Sequence, residues 1–221
     1  MSHVFIIGAT GGVGSHLRKK LSASRHQVTG LHRKPEQAAE LVEDKVRPVE
    51  LDLLTTNPES LAQAMQGSDV VVFSAGAAGA GVELTDGIDG RGAQIAAEAA
   101  RIAGVKRFIL VSAFPDAGRG KQISPTFEHY MKVKRQADVM LAATDLDWVI
   151  LRPGTLTNEA GSGKVNVGLA IAYGEISRED VAAVLHSLVE HDEVKRVIIE
   201  LTEGEQPIDR AVQQIGAYSG R

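Results

Sequence analysis

The stretch His3-Val-Phe-Ile-Ile-Gly8-Ala-Thr-Gly11-Gly-Val-Gly14-Ser-His-Leu17 decides how the whole chain is read. An apolar run breaks off at Gly8, further glycines follow at 11, 12 and 14, and Val13, Leu17 and Leu21 then recur at helical spacing. The pattern predicts strand, tight turn, helix. Gly8 lets the strand end in a turn closed to residues with a Cβ, Gly11 and Gly12 let backbone come close to phosphate oxygens, and Gly14 lets the helix lie close on the strand. The helix N-terminus offers unpaired N–H groups and partial positive charge to an anion. A dinucleotide diphosphate is therefore expected here, with Gly8, Thr10, Gly11, Gly12, Val13 and Gly14 as its contacts.

The rest of the composition is permissive. A chain of 221 residues without an evident linker predicts one domain, with residues 155–174 as part of a small lobe on the substrate side. The net charge of −4, with both signs interspersed, gives no basic face for nucleic acid or anionic membrane. Zero cysteines exclude disulfides, a thiol nucleophile and thiolate-bound metal. The opening residues lack a basic segment followed by an apolar core, and no run reaches membrane length, so a cytoplasmic protein is expected. No histidine cluster has metal-ligand spacing, and no metal is expected.

Working outward, His26-Gln-Val-Thr-Gly-Leu-His32 reads as a second strand, followed by Arg33 and Lys34. In a dinucleotide fold this strand end faces the adenosine ribose, where a carboxylate selects NAD and cations accommodate the 2′-phosphate of NADP. Arg33 and Lys34 predict NADP, with NAD the lesser choice. Lys45-Val-Arg-Pro-Val-Glu-Leu51 alternates as a third strand, and Pro48 points to a strand near the sheet edge or to a local irregularity. Asp52 and Leu53 follow, where a loop could pass over the adenine.

Ser68-Asp-Val-Val-Val-Phe73 reads as a buried parallel strand. Ser74, Ala75 and Gly76 then open a small-residue loop that lets backbone pass close to a flat ligand. Thr85-Asp86 is expected to cap a long helix stopped at Gly104, and 106–112 forms a fifth strand ending at Ser112. Residues 114–126 lack periodicity, and helical period returns from Phe127. Residues 146–151 make a sixth strand, with Pro153 turning off its end, and 155–174 is glycine-rich and irregular. Ser177-Arg-Glu-Asp180 is a capping box, and a strand over 196–201 and a helix over 208–215 complete the chain. Strands alternating with helices predict a doubly wound α/β fold with a parallel sheet, whose ligand lies beyond the carboxyl ends of the strands.

Tyr130 and Lys134 share one face of the helix, four residues apart. An ammonium beside the phenol is expected to lower its pKa and favour proton transfer to or from a substrate oxygen, with Ser112 orienting that oxygen.

These residues together resemble the short-chain dehydrogenase/reductase superfamily. Gly8, Gly11 and Gly14, the Asp52-Leu53 pair and Tyr130-x-x-x-Lys134 carry the likeness. Gly8-Ala-Thr-Gly-Gly-Val-Gly14, Gly104-Val-Lys-Arg-Phe-Ile-Leu-Val-Ser112 and Leu151-Arg-Pro-Gly154 narrow it to the atypical, NmrA-like NAD(P)H-binding branch. The resemblance implies a Rossmann domain with Gly8 to Gly14 on the pyrophosphate, Asp52 at the adenine, and Tyr130 and Lys134 on the nicotinamide ribose. It implies an NADPH-dependent reductase of a small carbonyl or quinone-like acceptor. The alternatives are a non-catalytic redox sensor that answers to a protein partner, and an enzyme like the nucleotide-sugar epimerases and dehydratases.

Overall fold

A computed structural model describes residues 1–219. The chain opens with β1 (His3–Ile7), α1 (Gly12–Ala23), β2 (Gln27–His32), α2 (Gln37–Glu43), β3 (Arg47–Glu50), α3 (Pro58–Met65) and β4 (Val70–Phe73). A helical stretch follows in three parts: α4 (Val82–Leu84), π-helical turns over Thr85–Gly92, and α5 (Ala93–Ala103). Then come β5 (Arg107–Val111), α6 (Pro125–Ala142), β6 (Asp147–Pro153), β7 (Thr155–Thr157), β8 (Lys164–Gly168), β9 (Glu175–Ser177) and α7 (Arg178–Glu190). The described chain ends with β10 (Val197–Glu203), β11 (Gln206–Pro207) and α8 (Ile208–Gly216).

The nine-stranded sheet runs β11-β8-β10-β6-β5-β4-β1-β2-β3. From β3 to β10 every neighbouring pair is parallel. The order 3-2-1-4-5-6 is that of a Rossmann fold, and its direction switches between β1 and β4, where a crevice must open at the carboxyl ends. Alternation along β1 builds both layers of core. Val4 and Ile6 pack with α1, α7 and α8 residues such as Leu17, Leu185 and Val212, while Phe5 and Ile7 pack with Leu61, Ala96 and Leu141 from α3, α5 and α6.

Pro48 sits in β3, the edge strand, as its missing N–H requires. Ser177 caps α7 by accepting from the Asp180 amide, as the capping box predicts.

Four expectations need correction. Thr85-Asp86 does not cap the helix: it starts at Val82 after Gly81, and the Thr85 hydroxyl instead donates back to the Gly81 carbonyl. The helix expected from Phe127 starts at Pro125, because Ser124 accepts from the Phe127 amide and proline suits the first turn. The sheet is not wholly parallel, since β8 runs antiparallel to both β10 and β11. Residues 155–174 are not irregular throughout. They supply β8 to the main sheet and β7, which pairs with β9 in a separate two-stranded ribbon.

Candidate active site

A cleft of about 900 Å³ opens along the carboxyl rim, at the large end of the range for small-molecule sites. Gly8, Thr10, Gly11, Gly12 and Val13 form its floor, and Arg33, Asp52, Leu53, Ser74, Ala75, Gly76, Ser112, Tyr130 and Lys134 line its walls. Three expected contacts lie off that wall. Gly14 serves packing instead, because a Cβ there would sit 2.0 Å from the Gly8 carbonyl oxygen. Lys34 turns toward Glu36, 4.0 Å away, and Pro153 accepts from the Phe114 amide behind the rim.

The turn itself is made for an anion. Gly8 adopts φ +90°, and a Cβ on it would stand 2.5 Å from the Ala75 amide nitrogen. The Gly11 amide is consumed on Gly8 O at 3.0 Å, while the amides that follow begin α1 and have no helical partner. Side chains cap α3, α6 and α7, through Asn57, Ser124 and Ser177. The N-terminus of α1 has neither a side-chain cap nor an acidic residue in its first turn. Arg18, fully buried, holds the turn from below by donating to Ala9 O at 2.9 Å and pairing with Glu40 and Asp44. A diphosphate fits this cradle by geometry and charge alike.

At the adenosine end, the Arg33 and Lys34 amides both donate to Gln37 Oε1, and Gln37 Nε2 donates to Thr10 Oγ1 at 3.0 Å. Gln37 thus ties the end of β2 to the glycine turn, with the exposed Arg33 in the cleft wall. The only carboxylates in the described wall are Asp52 and Asp89, and neither ends β2. Asp52 Oδ1 accepts from the Leu54 amide and fixes the loop that follows β3.

The opposite end corrects the proton-transfer expectation. Lys134 is nearly enclosed, with Nζ 3.3 Å from Asp89 Oδ1 and 2.8 Å from Val111 O. The π-helical turns deliver Asp89 there, and its other oxygen accepts from the Ala77 amide at 2.9 Å. With its charge committed to Asp89, Lys134 does not depress the phenol. Burial pushes the half-buried Tyr130 above the ordinary phenol range, and the carboxylates of Asp89 and Asp138 add to the rise.

Behind this wall, burial also raises the Asp138 carboxyl, while Ser112 and Arg152 oppose the rise. Arg152 donates to Asp138 Oδ2 at 2.9 Å. The Ser112 hydroxyl lies beside the same group, yet neither Ser112 Oγ nor Asp138 Oδ1 completes a geometrically sound hydrogen bond. Ser112 thus lines the cleft, with its Oγ enclosed on the Asp138 side of the wall.

Among the residues not anticipated from the sequence, Asp89, Gln37 and Arg178 matter most. Their common signal is a polar side chain within the cleft wall, which only the assembled fold reveals.

On the opposite rim, three potential metal ligands do come together, contrary to the spacing argument: His26, His186 and Glu190. Here Ser2 N–H donates to His26 Nδ1 at 3.3 Å, so Nε2 carries the proton and donates to Glu190. That arrangement ties the residue before β2 to α7.

A family model described as NAD(P)H-binding matches residues 8–192. The chain belongs to that NAD(P)H-binding family. Bacillus subtilis YhfK, called an uncharacterized sugar epimerase, is 37% identical over 214 residues and covers 96% of this chain and 99% of its own length. A Bacillus halodurans structure, provisionally named an NAD-dependent epimerase/dehydratase, superposes with a TM-score of 0.88 at 33% identity, covering 97% of this chain and all of its own. The structure of the oxidoreductase YlbE from Lactococcus lactis gives a TM-score of 0.85 at 29% identity, covering 99% of each chain. Membership of this NAD(P)H-binding family agrees with the resemblance drawn from the motifs. No helix among the described residues is long and apolar enough to cross a membrane.

Proposed function

We propose that this chain is an NADPH-dependent reductase of a small carbonyl or quinone-like acceptor. One observation carries the reading: Tyr130, Lys134 and Ser112 line the same cleft as the uncapped glycine turn, at its other end. NADPH supplies the hydride when bound. The protein's part is then to hold that cofactor, orient the acceptor and deliver a proton.

Gly8, Thr10, Gly11, Gly12 and Val13 take the diphosphate, Arg33 the 2′-phosphate, and Asp52, Leu53 and Ser74 to Gly76 the adenosine side. Lys134 carries three N–H donors, of which two are spent on Asp89 and Val111 O. The third is the natural partner of a ribose hydroxyl. A phenol held above its usual pKa stays protonated at neutral pH, so Tyr130 is an acid that donates to a carbonyl oxygen and a poor base for the reverse step. Ser112, in the same cleft wall, orients the acceptor.

The names of the B. subtilis and B. halodurans relatives favour a second reading, an epimerase acting on a sugar. The two differ in net chemistry. A reductase consumes one reduced dinucleotide per turnover, whereas an epimerase returns the hydride it removes. The test is NADPH consumption over a panel of aldehydes, ketones, quinones and nucleotide sugars, run with wild type and Tyr130→Phe. Acceptor-dependent consumption lost in Tyr130→Phe supports the reductase. Sugar isomerisation without consumption supports the epimerase, and tight binding of one redox form without turnover supports a sensor that signals to a protein partner.

A further inference from the structure

We propose that Arg178 is a clamp that closes over the glycine turn and donates to the diphosphate of the bound dinucleotide. The inference rests on the cleft being the NAD(P)H site, and it assigns to that site a cation from the far end of the fold. Arg178 is the first residue of α7, and its stem lies directly on Gly12, the first residue of α1. A Cβ on Gly12 would meet Arg178 Cδ at 2.8 Å and Nε at 2.9 Å. Glycine at 12 therefore makes room for an arginine as well as for phosphate.

The guanidinium is only half used. Nη1 donates to Leu156 O at 3.2 Å and Asn158 Oδ1 at 2.8 Å, which anchors it to the β7 segment. Among the described residues, Nε and Nη2 have no hydrogen-bond or ion-pair partner, and the side chain forms part of the cleft wall. The neighbouring carboxylates face elsewhere. Glu179 accepts from the Gly161 amide at 3.1 Å and pairs with Lys20 at 3.5 Å, and Asp180 accepts from the Ser162 and Gly163 amides.

A cation at the first position of a helix opposes the helix dipole, and here a second helix presents its own positive end alongside. Positive charge so concentrated is stabilised by an anion. The open edge of the guanidinium, where Nε–H and one Nη2–H lie side by side, matches phosphate oxygens better than a lysine would. A purely structural strut would need only the bonds already made through Nη1.

The test is a fluorescence titration of the full chain with NADPH and with NADH, using wild type, Arg178→Gln and Arg178→Lys, with the melting temperature of each ligand-free protein. The expected result is at least about 10-fold weaker binding of the preferred dinucleotide by Arg178→Gln, partial recovery by Arg178→Lys, and melting temperatures within about 2 °C of wild type. Binding by Arg178→Gln within about 2-fold of wild type would overturn the clamp and leave the cleft reading standing. Equal weakening in both variants together with a lowered melting temperature would also overturn it, in favour of a strut. A wild-type protein that bound neither dinucleotide would overturn the cleft reading itself, and the clamp with it.

Discussion

The two ends of α7 each carry an arginine, and they are in opposite states. At the C-terminal end, Arg107 from β5 is buried, and its two terminal nitrogens donate to the carbonyls of Leu188, His191, Asp192 and Val194, leaving Nε alone without a partner. A cation there satisfies orphan carbonyls and complements the dipole. At the N-terminal end, Arg178 opposes the dipole and leaves two nitrogens open to the cleft. The contrast extends to the whole sheet. On the amino rim His3 bonds to Asp69, Gly67 and Thr29, and His26 latches to Glu190. On the carboxyl rim α1 has neither a side-chain cap nor an acidic residue in its first turn. The amino rim spends its charged groups on the fold, while the carboxyl rim keeps an uncapped helix end and a guanidinium edge for a ligand.

The sharpest way to break this contrast is at Arg107. Arg107→Ala leaves several buried carbonyls without donors, and we expect about 3 kcal/mol or more of lost stability in urea unfolding. A loss below about 1 kcal/mol would mean that this rim is not closed by the arginine. At the open rim the large effect should fall on catalysis instead of folding. Tyr130→Phe should lower kcat about 100-fold or more, with the melting temperature within about 2 °C of wild type. A large fall in melting temperature would move Tyr130 to the structural side.

Smaller effects sharpen the adenosine end. Arg33→Ala should reduce the preference for NADPH over NADH about 10-fold, whereas Lys34→Ala, turned toward Glu36, should change it less than about 2-fold. Equal effects of the two would restore a joint role for the pair. The smallest expected change is with pH. Because the Tyr130 phenol is raised, its acid form persists through neutral and alkaline pH, so the reduction rate should show no tyrosine-linked decline below about pH 10. The reverse oxidation needs the phenolate and should be slow near neutrality and climb as pH rises. A decline in reduction between about pH 7 and 9, absent from Tyr130→Phe, would show that the phenol is depressed instead.

What the sequence revealed follows the range over which each interaction acts. The glycine turn, the edge position of Pro48 and the capping box at Ser177 depend on neighbours a few residues apart, and all were readable. The tyrosine shift was misread for a physical reason. Four-residue spacing places Lys134 near Tyr130, but it says nothing of Asp89 and Val111 O, which come from other elements and claim the ammonium. Asp89 reaches the cleft through π-helical turns, whose extra residue per turn leaves no periodic signature in a stretch as rich in glycine as Thr85–Gly92. Arg178 looked like an interior member of the capping box, and its contact with Gly12 exists only once α1 and α7 pack together. The antiparallel β8 was hidden by its setting among glycines, since a five-residue strand at that position takes its pairing from β10.

The most direct test is a crystal structure of the wild-type protein with NADPH. The account requires the diphosphate against the first-turn amides of α1 under Arg178, with the nicotinamide ribose beside Lys134. A dinucleotide bound elsewhere, or a glycine turn occupied by the protein's own side chains while ligand is present, would contradict it.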